Sequence, residues 1–207
     1  MPPGAAVCGR CLRRPPAFDR ALAGVDYAHP WSALIGRFKF GDALDLGSAL
    51  TRLLLRAVAS ERPVPAPGLL LPVPLGAGRL RERGYNQSWE ITRRLASALD
   101  ATTDARLLLR VRETPPQMAL VPGKRAANVR GAFAVEPTRR AELRGRTVTL
   151  VDDVMTTGET AGELARVLHA AGASTVQVWV VARTPAPERE TEPLHAAGIS
   201  LPSRQPR

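Results

Sequence analysis

Cysteine is almost missing from this chain. Two cysteines, Cys8 and Cys11, stand in 207 residues, too few for the disulfide framework of a small secreted scaffold. Aromatic residues make up only 4%, which argues against a surface built to stack many bases. Apolar runs stay far below the ~18 residues that a bilayer span needs, so no membrane-crossing helix is expected. The start, with Pro2, Pro3 and Gly4, has no apolar h-region and does not read as a secretory signal, which gives a cytoplasmic location as the expectation. The length leaves room for one α/β domain with a small appendage and excludes two large domains.

Charge of one sign dominates what is present. The formal net charge is +10, from 29 Lys+Arg against 19 Asp+Glu. Residues 79–146 hold 15 of the basic residues and 7 of the acidic ones, a local surplus of 8. An anionic partner on the middle of the chain would account for this, and so would a solvated arginine-rich surface.

Periodicity divides the chain into residues 1–16 around CGRC, an N-terminal helical or hood region at 17–67, a core at 68–183, and a Pro- and Glu-rich tail at 184–207 that reads as disordered. Residues 21–27 suggest a strand or hairpin. Leu46, Leu50, Leu53, Leu54, Ala57 and Val58 recur at helical spacing, so residues 42–60 read as an amphipathic helix. "LLLPVP" after Gly68 fits a strand buried on both faces. "LGAGRLRERGYNQ" reads as a polar loop before a helix at 88–99, whose apolar face is Ile91, Leu95 and Leu99. "ARLLLRV" is a second strand candidate. Residues 112–128 have no periodicity, and a loop of that length inside a domain is usually functional or mobile.

Residues 147–151 form a third strand, followed by a helix with Ala161, Leu164, Ala165 and Leu168 inward and Gly172 just past its end. "TVQVWVVA" supplies a fourth strand. Strands alternating with helices indicate an α/β fold with a mainly parallel sheet flanked by helices.

The segment richest in chemistry is "VTLVDDVMTTGET", residues 148–160. It joins a buried strand, two adjacent carboxylates, a Thr-Thr-Gly turn and a helix start. Ligands of open α/β sheets sit beyond the carboxyl ends of the strands, and a helix N-terminus offers unpaired N–H groups to an anion. Thr156, Thr157, Gly158 and Thr160 can therefore wrap a phosphate. Asp152 and Asp153 would repel it at contact, but suit a ribose diol a few ångströms away or a divalent cation. The bland alternative is that the acids merely close a strand, while Thr156 caps the helix and Glu159 completes a capping box.

Rival phosphate motifs fail. "GKRA" at Gly123 lacks the hydroxyl residue of a Walker loop, and Gly76 and Gly78 are followed by Arg81 where a dinucleotide fingerprint needs a third glycine. A phosphoacceptor domain needs a later aspartate, and none follows Asp153.

"VTLVDDVMTTGET" resembles the phosphoribosyl pyrophosphate (PRPP) motif of type I phosphoribosyltransferases. Four further stretches narrow the resemblance to the ComF family of competence-associated, phosphoribosyltransferase-like proteins. They are "RFKFGD" from Arg37, "LLPVPL" from Leu70, "RERGYNQS" from Arg81 and "PPQMALVPGKRAANVRGAF" at 115–133. The resemblance spans about residues 8–183. It implies a type I phosphoribosyltransferase fold in which Asp152 and Asp153 hold the ribose hydroxyls of PRPP, while Thr156, Thr157, Gly158 and Thr160 hold its 5-phosphate. Leu75 and Gly76 would lie at the pyrophosphate, with Arg79 or Arg83 supplying charge. Residues 113–131 would be a closing loop, with Lys124, Arg125 and Asn128 as its polar members. Magnesium would accompany PRPP, and phosphoribose would pass to an acceptor with release of pyrophosphate.

Two departures stand out. The family's paired CxxC motifs hold a structural zinc with four thiolates; here only Cys8 and Cys11 remain, so the start is truncated or the zinc is lost. His29 is a conceivable extra ligand, although a histidine beside Pro30 and Trp31 fits ordinary packing. Glu159 stands where a small residue is common. A non-catalytic accessory protein of DNA uptake, binding PRPP or single-stranded DNA, is the competing reading. Tyr85 and Phe133 are the only aromatics near basic loops, whereas Trp89 and Trp179 sit in helix and strand patterns that suggest packing.

Overall fold

The computed structural model describes residues 13, 15–41, 43–113 and 129–185. In chain order its elements are β1 (Arg20–Asp26), α1 (Trp31–Phe40), α2 (Leu46–Ser60), β2 (Leu69–Pro72), α3 (Ala77–Arg83), α4 (Gln87–Leu99), β3 (Leu108–Arg110) and β4 (Phe133–Val135). A 3₁₀ segment (Pro137–Leu143), β5 (Thr147–Met155), α5 (Glu159–Ala170) and β6 (Thr175–Arg183) complete them. The main sheet has the order β1-β6-β5-β2 and is parallel throughout.

Burial explains why β5 and β6 read as continuous apolar runs. Val148, Leu150, Val176, Val178 and Val180 pack on one side, in the cluster that includes Leu164 and Leu168 of α5. Val151, Trp179 and Val181 pack on the other, with Leu54 of α2 and Ile91 and Leu95 of α4. With elements packed on both faces the middle of each strand is closed to water, so alternation disappears there. Helix α4 starts where Asn86 turns its side chain back to accept from the N–H groups of Ser88 and Trp89, at 3.0 and 3.4 Å. Among the described residues no helix is long and apolar enough to cross a membrane.

Four features differ from the sequence expectations. Residues 77–83 form α3 rather than a loop; none of them is buried, so this short helix has no apolar face to betray it. Helix α1 lies inside the region read as helical or hood, at a place where no separate helix was named. Strand β3 does not join the parallel sheet but pairs antiparallel with β4. The free edge of β2 is already taken: Leu70 donates to Thr102 O at 2.9 Å and bridges Thr103. Finally, β1 belongs to the part of the chain set apart from the core on sequence grounds, yet it is the edge strand beside β6.

Candidate functional site

Strand β5 runs past Val151 to Met155 because β6 keeps pairing with it, Asp152 opposite Val180 and Met155 opposite Arg183. The two acids therefore lie inside the strand. On the other side β2 ends at Pro72, opposite Val151. The chain leaving β2 is tethered by Val73 N–H to Val151 O at 3.0 Å, so it starts its turn beside Asp152. The carboxyl ends of β2 and β5 thus lie side by side, at the edge where an open α/β sheet binds ligands.

Each acid has its own partner. Asp152 Oδ1 accepts from Ser88 Oγ at 2.8 Å and from the Asp153 N–H at 2.9 Å. Burial, then the neighbouring Asp153 carboxylate, push the Asp152 carboxyl up to about 7 against the opposing pull of Ser88 and Lys39. Asp153 is buried, and Lys39 Nζ of α1 lies 2.9 Å from its Oδ1. Neither Ser88 nor Lys39 was singled out from the sequence, although both lie in the quoted "RERGYNQS" and "RFKFGD" stretches.

After Met155 the chain turns at Thr156 and Thr157 into α5. Gly158 is the N-cap residue at φ 80°, ψ 5°, a left-handed conformation that favours glycine. No side chain caps the helix, so the capping box with Thr156 and Glu159 does not form. Among the described residues no hydrogen bond engages the N–H of Thr156, Thr157 or Gly158. The Thr157 Oγ1 is buried without a partner among them. A buried hydroxyl and three turn amides with no partner among the described residues, just ahead of a twelve-residue helix, suit an anion. Asp152, Thr156, Gly158 and Thr160 border one small cavity. A larger cleft of about 420 Å³ opens over the same turn, with Phe18, Arg130 and Arg183 on its walls.

The loop after β2 is occupied differently. Gly76 is the buried N-cap of α3. The Gly78 N–H donates to Glu113 Oε1 at 3.1 Å, and a Cβ on Gly76 would come within 2.4 Å of Glu113 Oε2. The chain's own carboxylate therefore sits where the resemblance puts pyrophosphate. Of the two arginines expected there, Arg83 is committed elsewhere: it donates to Gln87 Oε1 at 2.9 Å and its guanidinium lies 4.5 Å from the Phe40 ring centroid. Burial lowers its pKa, with the Asp153 charge opposing. Arg79 is half-buried on α3, close enough to Arg83 and Arg110 to depress both. Leu75 is half-buried before Gly76.

Cys8 and Cys11, the expected zinc ligands, and Lys124, Arg125 and Asn128, the expected closing-loop residues, lie outside the described residues. Among the described residues no three His, Cys, Asp or Glu side chains converge as a metal site. The donor set of the acid pair does not suit a protein-held magnesium ion either. One oxygen of Asp153 is taken by an ammonium, and one of Asp152 by two donors. Tyr85 and Phe133 offer no stacking platform. Tyr85 packs on Phe38 with ring centroids 6.0 Å apart and donates its hydroxyl to Phe38 O, and Phe133 is buried.

The phosphoribosyl transferase domain family matches residues 89–197, just over half of the chain. The chain is 39% identical over 180 residues to the DNA utilization protein YhgH of Escherichia coli K12, covering 86% of this chain and 78% of that protein. It is 36% identical over 179 residues to competence protein F of Haemophilus influenzae, covering 85% and 78%. Among solved structures, glutamine phosphoribosylpyrophosphate amidotransferase from B. subtilis, complexed with ADP and GMP, aligns over 70% of this chain and 30% of its own. The TM-score is 0.46 at 18% identity. A purine phosphoribosyltransferase from Pyrococcus horikoshii aligns over 80% and 82%, with a TM-score of 0.37 at 16% identity.

Proposed function

We propose, for a chain that belongs to the ComF family of competence-associated, phosphoribosyltransferase-like proteins and has their type I α/β fold, that it binds PRPP at the carboxyl ends of β2 and β5. The reaction is transfer of the phosphoribosyl group to an acceptor with release of pyrophosphate, in the cytoplasm and in the service of DNA uptake. One observation carries the reading. A strand bearing two carboxylates runs directly into a turn whose amides and buried Thr157 hydroxyl have no partner among the described residues.

The chain's own groups divide the work. The amides of Thr156, Thr157 and Gly158 and the Thr157 hydroxyl take the 5-phosphate at the positive end of α5. Asp152, positioned by Ser88, presents its remaining oxygen to the ribose hydroxyls. As the bond from ribose C1 to pyrophosphate lengthens, positive charge develops on the ring, and the nearby carboxylates are the groups on this chain that favour it. Arg79 is the arginine left to face the departing anion. No nucleophile is required, because the acceptor attacks the ring itself. Binding at single-stranded DNA is the weaker reading, since the aromatics it would use are packed into the protein.

Calorimetric titration of PRPP into wild type and an Asp152→Asn/Asp153→Asn variant tests the proposal, with a nucleobase panel assayed for pyrophosphate release. Wild type should bind. The variant should bind about 10–100-fold more weakly, as loss of charged hydrogen bonds predicts. Wild type that does not bind PRPP, or a folded variant that binds it equally, refutes the proposal.

A further inference from the structure

The "RFKF" turn of α1 takes no part in the proposed reaction, yet it reaches into the centre of the site. Lys39 is one of only two lysines in a chain with 27 arginines. Its ammonium is held 2.9 Å from Asp153 Oδ1, with 19% of the lysine side chain and 9% of the aspartate side chain exposed. The turn that carries it is clamped on both sides. Phe38 is fully buried against Tyr85, which donates its hydroxyl to Phe38 O, and Phe40 lies under the Arg83 guanidinium. The Gly41 N–H closes the turn onto Arg37 O at 2.8 Å. Lys39 therefore sits in a fixed place, not on a loose surface arm.

A compact ammonium on a flexible stem can enter a gap between carboxylates that the broad fork of an arginine cannot. Two uncompensated carboxylates beside a phosphate turn would repel a sugar phosphate and attract a divalent cation. With Lys39 present, the pair carries one compensated acid and one that Ser88 orients. We infer, resting on the proposed sugar-phosphate reading of the site, that Lys39 is a positioning residue that fills the cation place of the acid pair, so that ribose phosphate binds there without a protein-held divalent metal.

The test uses the full chain and Mn²⁺ as the metal probe, followed by electron paramagnetic resonance. Its variants are Lys39→Met and Lys39→Gln, each made also with Asp153→Asn. Lys39→Met should bind Mn²⁺ at least tenfold more tightly than wild type, and the gain should vanish with Asp153→Asn. Lys39→Gln, which keeps a polar contact to Asp153, gives the same reading should the methionine variant not fold.

In parallel, ribose 5-phosphate is titrated in EDTA and in Mg²⁺. Wild-type affinity should be the same in both. The uncharged variants should bind at least tenfold more weakly in EDTA and recover in Mg²⁺. Uncharged variants with no gain in Mn²⁺ affinity overturn the inference, as does a wild type that already binds Mn²⁺ through Asp153. Wild type that fails to bind ribose 5-phosphate refutes the sugar-phosphate reading instead. The Mn²⁺ arm still decides the place of Lys39 in that case.

Discussion

Replacing Asp152 by asparagine should stabilise the folded chain at neutral and alkaline pH while weakening its site. The carboxyl of Asp152 is held at about 7 in the fold, raised first by burial and second by Asp153, against an ordinary value of about 4 in an unfolded chain. Over that interval the folded state binds more protons than the unfolded one, so stability falls as pH rises from about 4 to about 7 and levels off above. Holding this carboxyl ionised in the fold at neutral pH therefore costs on the order of 2–4 kcal/mol. Asparagine keeps an oxygen that can accept from Ser88 Oγ and the Asp153 N–H, so the substitution removes the charge and leaves the acceptor. Urea unfolding of wild type and Asp152→Asn at pH 4.5, 6, 7 and 8.5 reads the effect. The advantage of the variant should be small at the lowest pH, grow to roughly 2–4 kcal/mol by neutrality and then stay constant. An advantage that does not vary with pH, or a variant less stable at pH 8.5, would refute the assignment of a strained, site-held carboxylate.

Two further outcomes follow from the turns that flank the acids. Glu113→Gln should raise affinity for inorganic pyrophosphate about fivefold, roughly 1 kcal/mol, because the carboxylate on the Gly78 N–H no longer competes for the loop; equal or weaker binding by calorimetry contradicts this. Gly158→Ala should cost about 1–2 kcal/mol in urea unfolding through its left-handed backbone, since an added Cβ would meet only ordinary contacts at 3.7 Å from Met155 and Phe18. An unchanged midpoint would mean that the turn relaxes.

What was legible in the sequence was whatever repeats or clusters along it. The face of α4 and the inward residues of α5 follow from helical periodicity, and β5 and β6 from unbroken apolar runs. So does Gly172, which lies just beyond α5 with φ at 104°. Helix α3 was illegible because a seven-residue helix with no buried side chain carries no amphipathic signal. Strand β3 was misassigned because apolar composition says nothing about which edge is free, and Leu70 had already spent that edge on Thr102 and Thr103.

The site divides along the same line. The acids and the Thr-Thr-Gly turn are contiguous and could be read directly, whereas the groups that condition them come from far away in the chain. Lys39, Ser88 and Glu113 lie 114, 64 and 37 residues from Asp153, Asp152 and Gly76 respectively. Each is a charged or hydroxyl residue of a kind that surfaces carry in abundance, so its pairing with a site group is not written along the chain. Their effect is electrostatic and depends on distance, which only folding sets: an ammonium at 2.9 Å compensates a carboxylate that the sequence shows as free. A motif read along the chain therefore names the groups that touch a ligand, while the protonation and charge state in which they meet it are decided by residues the motif does not contain.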